Sequence, residues 1–328
     1  MKAAVVGAGI AGLHLANRLF TAGVDVEVFD KARGPSGRIS TRRTPNGAFD
    51  HGAPFFTARD PIFIRETGEL LRNGVVEKWK ANVAQVERGH WSAEQNGPDR
   101  YVGVPRMSAI ARHLAGPLSS NFSSRVIEIA RSGRGWTLDT EEEKGLGAFD
   151  LMLMAVPAPQ AAPLLSEHPE FANLAKSAFY HPTHALMVLF ESEIETEFDA
   201  FIIKDSAIGW AALNASKPGR ELAPTWVLHS TPEWSRENLE ASPERAQEEM
   251  LAGFSESLST SLPGVRLSAI HRWLYSRLET TDDADESSTK VLWDPSRGIG
   301  VCGDWVRGDG VENAYLSAEH LAAAILND

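Results

Sequence analysis

Three glycines and one acid carry the first chemistry in this chain. Gly7, Gly9 and Gly12 stand in a G-x-G-x-x-G pattern, and Asp30 follows eighteen positions after the last of them. A residue without a Cβ lets the chain turn sharply at Gly7 and lets the backbone approach a pyrophosphate at Gly9. At Gly12 it lets a helix press against a sheet. A helix beginning at Ile10 and Ala11 offers free N–H groups and the positive end of its dipole, which together hold anionic phosphates. Asp30 is placed to accept hydrogen bonds from a ribose. The pattern reads as a dinucleotide site.

A second loop follows directly. Lys31 to Arg38 reads KARGPSGR, and Gly34, Pro35 and Gly37 forbid regular structure there. Arg38 is suitably placed to reach pyrophosphate oxygens. Next comes AFDHGAPFFT, residues 48–57, in which Asp50 and His51 read either as a functional acid or as polar residues at a strand-to-turn junction. Phe55, Phe56 and Thr57 read either as active-site residues or, for the phenylalanines, as core.

These residues need elements to hold them. Lys2–Val6 is a short apolar run and reads as a buried strand, and Ile10–Thr21 has a helical apolar period. Val24–Phe29 reads as a second strand, ending on Asp30. Residues 61–80 read as helix, 83–100 as short strands with turns, and Ser108 as the N-cap of a further helix. Strands expected at 122–130, 135–140 and 149–154 form a meander. HALMVLFES, PTWVLHST and VRLSAIHRWLYSR read as strands, and 233–258 as one long amphipathic helix disturbed by Ala241 and Pro243. Thr280 to Lys290 is the nearest approach to a linker. Ile299–Cys302 reads as a strand, Gly303 and Asp304 as its terminal turn, and Val311–Leu326 as a helix.

Composition bounds the rest. The 328 residues suit two domains, or one interrupted by another, and the 43% hydrophobic content suffices for packed cores. A net charge of −12 argues against generic binding of nucleic acid or anionic membrane. Backbone amides and a few placed arginines must then hold any phosphates. The single cysteine, Cys302, allows neither a disulfide nor a cysteine metal cluster. No stretch reads as a signal peptide or membrane span, so a soluble cytoplasmic protein is expected.

The fingerprint with FDKARGPSGR resembles the extended FAD-binding motif of the flavin amine oxidase superfamily, with Ser36 where that motif has a glycine. The wider set is similar to the bacterial renalases: D-x-GA-x-x-FTARD, VGVPRMSAI, VPAPQ, VLHST-x-x-WS, HRWLYSR, and VCGDW followed by GVENAYLS. The resemblance covers almost the whole chain. It implies an α/β fold: a Rossmann-like FAD-binding domain of the p-hydroxybenzoate hydroxylase/monoamine oxidase type, interrupted by an α+β substrate domain on a mixed or antiparallel sheet. The expected domains are 1–60, 101–165 and 291–328 for FAD, and 61–100 and 166–290 for substrate.

The resemblance also implies roles. Non-covalent FAD is expected along Gly7, Gly9, Ile10, Ala11, Gly12, Asp30, Lys31, Gly37 and Arg38. Gly52 and Ala53 pass beside its ring, Val126 meets adenine, and Gly303 and Asp304 approach the ribityl chain. Val311, Glu312 and Ala314 lie under the flavin, with Asn313 where the family often has glycine. The implied reaction oxidises 2- or 6-dihydro isomers of NAD(P), passing hydride to flavin N5 and electrons on to O2, with NAD(P)+ and H2O2 as products. Hydride transfer needs a stacked, dry geometry more than an acid–base pair. Phe56, Trp273, Tyr275 and Trp305 are the candidate walls, with Thr57 beside them, and His229 is the candidate to hydrogen-bond a carboxamide or to tune the ring. An amine oxidase, a flavoprotein that only senses a partner, and a desaturase or porphyrinogen oxidase are the other readings. Of the lysines, Lys204 and Lys290 read as exposed, and none can be placed beside the flavin as many amine oxidases require.

Overall fold

The computed structural model describes residues 1–133, 135–279 and 290–328. The expected linker lies outside the described residues, apart from Lys290. Two large sheets carry the chain. The first has six strands in the order Leu292–Asp294, Ile299–Val301, Leu151–Met154, Lys2–Val6, Asp25–Asp30, Ser119–Phe122. All its pairings are parallel except that of the two C-terminal strands. Helices Ile10–Thr21, Ala109–Ala115 and Val311–Asn327 pack on it through Leu13, Leu114, Leu321 and their neighbours. Its central strands are buried along their length, as parallel strands covered on both faces must be.

The second sheet has seven strands in the order Val265–Leu278, Tyr180–Phe190, Thr225–Ser230, Ile208–Leu213, Ala200–Ile203, Val83–Glu87, His90–Ala93. It is antiparallel except where Ala200–Ile203 runs parallel to Val83–Glu87. Successive side chains alternate between its faces. Leu186, Phe201, Trp226 and Leu228 pack with Met250 and Phe254 of helix Pro243–Leu258. The opposite face carries Trp210, His229 and His271.

Several boundaries differ from expectation. The helix begun at Pro61 stops at Arg72, because Gly74 takes φ +66° and a strand, Val76–Trp79, follows. Leu151–Met154 leaves the meander for the parallel sheet, and the meander is Val126–Ser132, Gly135–Thr140 and Leu146–Phe149. The long helix expected from residue 233 is two, Pro232–Glu237 and Pro243–Leu258. Ser242 accepts from the Arg245 N–H and Pro243 occupies the first turn, so the chain starts a fresh helix there. Ser108 precedes its helix but makes no side-chain cap bond. No helix of the described residues is long and apolar enough to cross a membrane.

Candidate active site

A cavity of about 1550 Å³ runs between the two sheets. Pockets for drug-sized ligands occupy roughly 300–1,000 Å³. This one has room for an extended cofactor and a second molecule.

One wall is backbone. Gly9 caps helix Ile10–Thr21 with no side chain across its N–H groups, and Gly9, Ile10 and Ala11 line the cavity. Gly7 has φ +116°, and a Cβ there would lie 2.6 Å from the Ala155 oxygen. Gly12 does not line the cavity. Its role is packing, since a Cβ would stand 1.9 Å from the Gly7 oxygen. The second loop reaches back to the fingerprint turn: Gly37, at φ +53°, would put a Cβ 2.9 Å from the Gly9 Cα. Ser36, in place of the motif's glycine, sits at φ −177°, extended backbone open to any residue. That departure costs the motif nothing. Asp30 accepts from the Ala8 N–H at 2.6 Å and the Ala32 N–H at 2.7 Å, which fixes its carboxylate toward the cavity beside Lys31.

Arg38 lines the cavity and has a partner that the sequence did not indicate. Its guanidinium closes on Asp304 through two bonds of 2.6 Å, and Tyr180 donates to the same carboxylate at 3.0 Å. The fork ties the second loop to the Gly303–Asp304 turn. Both residues still line the cavity, as do Gly52, Ala53, Val126, Gly303, Val311 and Ala314. Glu312 also lines it, but its carboxylate accepts the Arg59 and Asp60 N–H groups at 2.7 Å each. Gly310, at φ +99°, opens the last helix without a side-chain cap, presenting a second free helix N-terminus to the cavity.

The other wall is made of side chains. In the register of the seven-stranded sheet, Ile202 pairs with Trp210, Trp210 with His229, His229 with Ala185, and Ala185 with His271. Paired residues point to the same face, so these side chains form one rung across five strands. Trp273 lies two residues beyond His271 on that face. His51 joins the rung to the cofactor side. Its carbonyl accepts from Trp273 Nε1 at 2.8 Å and sits 3.2 Å from His229 Nε2. Its ring stacks on Trp273 and meets His271 edge-on at 5.0 Å. Phe56 and Thr57 line the cavity nearby. Trp305 does not. It is buried and donates to the Val156 oxygen at 3.1 Å, so it is no wall for a substrate.

Electrostatics separate the two acid candidates from acid chemistry. Asp50 is fully buried and takes Arg220 Nη2 at 2.5 Å, Lys217 Nζ at 3.5 Å and the Thr41 hydroxyl at 2.6 Å. Burial opposes its charge, but the two cations and the hydroxyl prevail and hold it at about 2. Desolvation, reinforced by His271, lowers His51 to about 4, and desolvation lowers His229 to about 4. All three are poor proton donors near neutrality. Lys217 and Arg220 had no role in the sequence reading. Their only signal was two cations three apart about a Pro-Gly turn, which is common on surfaces.

Two family patterns match the chain. That of NAD(P)-binding Rossmann-like domains covers residues 5–64, and that of flavin containing amine oxidoreductases covers 80–326. The chain belongs to the flavin containing amine oxidoreductase family. It is an FAD-dependent oxidoreductase, and FAD is the cofactor for which the backbone wall is built. The contact of Gly37 with Gly9 and the two uncapped helix ends fit that cofactor. No cluster of metal-ligating side chains is found among the described residues.

Members of this wider group differ in what they do. The tRNA 5-methylaminomethyl-2-thiouridine biosynthesis bifunctional protein MnmC of Magnetococcus marinus is 25% identical over 213 residues, 52% of this chain and 32% of that protein. Hydroxyneurosporene desaturase of Rubrivivax gelatinosus is 32% identical over 139 residues, 35% of this chain and 26% of its own. The chain thus matches about a third or less of the length of these curated relatives. Among solved structures, a putative protoporphyrinogen oxidase from Exiguobacterium superposes with a TM-score of 0.79 at 13% identity, covering 100% of this chain and 99% of that one. A redesigned triple mutant of putrescine oxidase gives 0.74 at 11%, covering 99% and 98%. At such identities the flavoprotein shares a fold with them and no more.

Proposed function

We propose that this flavoprotein oxidises isomeric dihydronicotinamides, the 2- or 6-dihydro forms of NAD(P), and that O2 takes the electrons. Substrate hydride and one proton then leave on O2 as H2O2, with NAD(P)+ as the other product. Bound FAD supplies the two-electron acceptance. The chain's residues supply a flat, aromatic, uncharged wall and keep water from it.

One observation carries the reading. Each carboxylate that lines the cavity is already engaged by the chain: Asp30 and Glu312 by backbone N–H groups, Asp304 by Arg38, Asp309 by the Leu278 N–H, and Asp60 by the Ile62 N–H. The histidines of the rung are held neutral by burial. Asp304 is closed on by a cation, and a protonated amine entering here would have to compete for the other carboxylates with the N–H groups that already hold them. A neutral dihydropyridine ring needs no counter-ion, and its phosphates can be met at the exposed mouth by Arg59 and by Arg277, which also lies 3.8 Å from Asp309. FAD is held without a covalent bond to Cys302, which is fully buried, does not line the cavity, and has its thiol pKa raised by burial.

Anaerobic mixing of the FAD-loaded protein with each dihydro isomer tests this. The visible absorbance of the flavin is expected to bleach within seconds with at least one isomer. Rapid bleaching by an amine, with none by any isomer, would replace this reading with an amine oxidase, a reading consistent with the family.

A further inference from the structure

His271 stands apart on the aromatic wall. Each of its polar neighbours on the wall has one edge engaged or closed off, whereas both of its own ring nitrogens are open. Trp273 Nε1 bonds the His51 carbonyl, His229 Nε2 lies against that same oxygen, and Trp210 Nε1 and His51 Nδ1 are occluded without a partner. His271 lines the cavity, and neither of its ring nitrogens makes a hydrogen bond among the described residues. Neither nitrogen is among the occluded, unpartnered atoms of the chain. Its ring is nonetheless fixed, edge-on to Trp273 at 4.4 Å and to His51 at 5.0 Å. A rigid, partly buried imidazole with open nitrogens is a ligand-recognition group: it offers one donor and one acceptor in the neutral form.

A nicotinamide carries a carboxamide with the complementary acceptor and donor. The register sets the spacing. His271 and His229 flank Ala185 two strands apart, which is about 10 Å across the sheet. A ring lying on the wall can therefore reach His271 while its other side faces the Trp210–His229 half.

We propose that His271 is the specificity-determining residue of the substrate site and hydrogen-bonds the carboxamide of the nicotinamide substrate. This rests on the dihydronicotinamide reading above. It displaces His229, whose Nε2 lies on the His51 carbonyl and which serves to set the position of His51.

The test uses the FAD-loaded protein and the product NAD+, whose binding is read from the perturbed flavin spectrum without turnover. A dinucleotide with a bare pyridinium ring, lacking the carboxamide, is the second probe. His271→Ala and His271→Phe are each expected to weaken NAD+ binding roughly five- to fiftyfold, the range for losing a hydrogen bond to a partly buried group. Neither should change the affinity for the bare-ring probe, and His271→Gln should recover much of the loss. Equal loss for both probes would make His271 a packing residue, and unchanged NAD+ binding in His271→Phe would make it a wall; either result overturns the proposal. A wild-type protein that binds NAD+ and is bleached by a dihydro isomer, yet tolerates His271→Ala, sinks this inference alone. One that does neither sinks the dihydronicotinamide reading along with it.

Discussion

The two walls of the cavity are built on opposite principles. The cofactor wall is backbone: glycines that touch each other, two uncapped helix ends, and acids held in place by N–H groups. The substrate wall is side chains: one rung of Ile202, Trp210, His229, Ala185 and His271, braced by His51 and Trp273. A backbone wall tolerates few residue types at few positions. A side-chain wall tolerates many and changes specificity one residue at a time. The first suits a cofactor shared by a whole family, the second a substrate that differs among its members.

The sharpest test of the backbone wall is to fill the glycines of its fingerprint. Gly12→Val pushes carbon into the Gly7 carbonyl and is expected to abolish both folding and flavin retention. At Gly9 a Cβ finds only the Gly37 Cα, at 3.9 Å, so Gly9→Trp should fold and fill the cofactor's space instead. Thermal unfolding and the ratio of flavin to protein absorbance distinguish the two. Full FAD in Gly9→Trp would show the backbone wall to be misassigned.

Next in size is the support that both walls share. Asp50 precedes His51 and anchors it through Lys217, Arg220, Thr41 and the Met107 N–H. Asp50→Asn leaves two buried cations without their anion. Breaking a buried pair this way costs on the order of 3–5 kcal/mol. Urea unfolding should show that loss, and turnover should fall as well, because the His51 carbonyl no longer holds Trp273 and His229 in place. A stable variant with altered turnover alone would assign Asp50 to chemistry rather than support.

This contrast also explains what could be read in advance. Gly7, Gly9, Gly12 and Asp30 announce themselves because a turn, a close approach and a packed helix each demand a residue without a side chain, in fixed order. Gly37 follows the same logic, and even the Ser36 departure is harmless because only Gly37 takes a positive φ. His271 and Trp210 carry no such mark. They sit in strands that do not pair with each other and share a rung only through the registers of the two strands between them, so their meeting is invisible along the chain. Lys217 lies beside a Pro-Gly turn and reads as surface, whereas tertiary packing buries it against Asp50 and the Trp79 ring. Arg38 was legible as a functional arginine but not as the partner of Asp304, 266 positions away.

Acid should loosen the side-chain wall before the backbone wall. His51 and His229 stay neutral in the folded protein down to about 4, against 6.5 for the free side chain. As pH falls, the unfolded chain takes up those protons first, so stability is present above pH 6.5 and is lost between about 6.5 and 4. Asp50, at about 2 against 3.8, adds a second loss that begins only below pH 3.8. The melting temperature is therefore expected to fall in two steps, and His229→Asn should flatten the first by about one proton. A single step near pH 4 would mean the histidines are already charged in the folded state.

A smaller effect isolates the brace itself. Trp273→Phe keeps the ring but removes its bond to the His51 carbonyl, a net loss of about 1 kcal/mol. Substrate affinity should drop a few-fold with flavin content unchanged. A drop in flavin content would mean that the two walls are not separable at His51.

The least effect is expected at Trp305, and there the negative result is informative. Its indole donates to the Val156 carbonyl, behind the lining of the cavity, so Trp305→Phe should cost about 1 kcal/mol of stability and nothing in substrate affinity. Its position just after Asp304 makes it look like part of the site along the chain, yet the turn at Gly303 (φ +143°) sends the acid toward Arg38 and the indole into the core. Binding titrations of Trp305→Phe and Trp273→Phe side by side decide which of the two tryptophans the substrate meets. A loss of affinity in the Trp305 variant matching that in the Trp273 variant would restore Trp305 to the wall and move the substrate toward the cofactor's ribityl end.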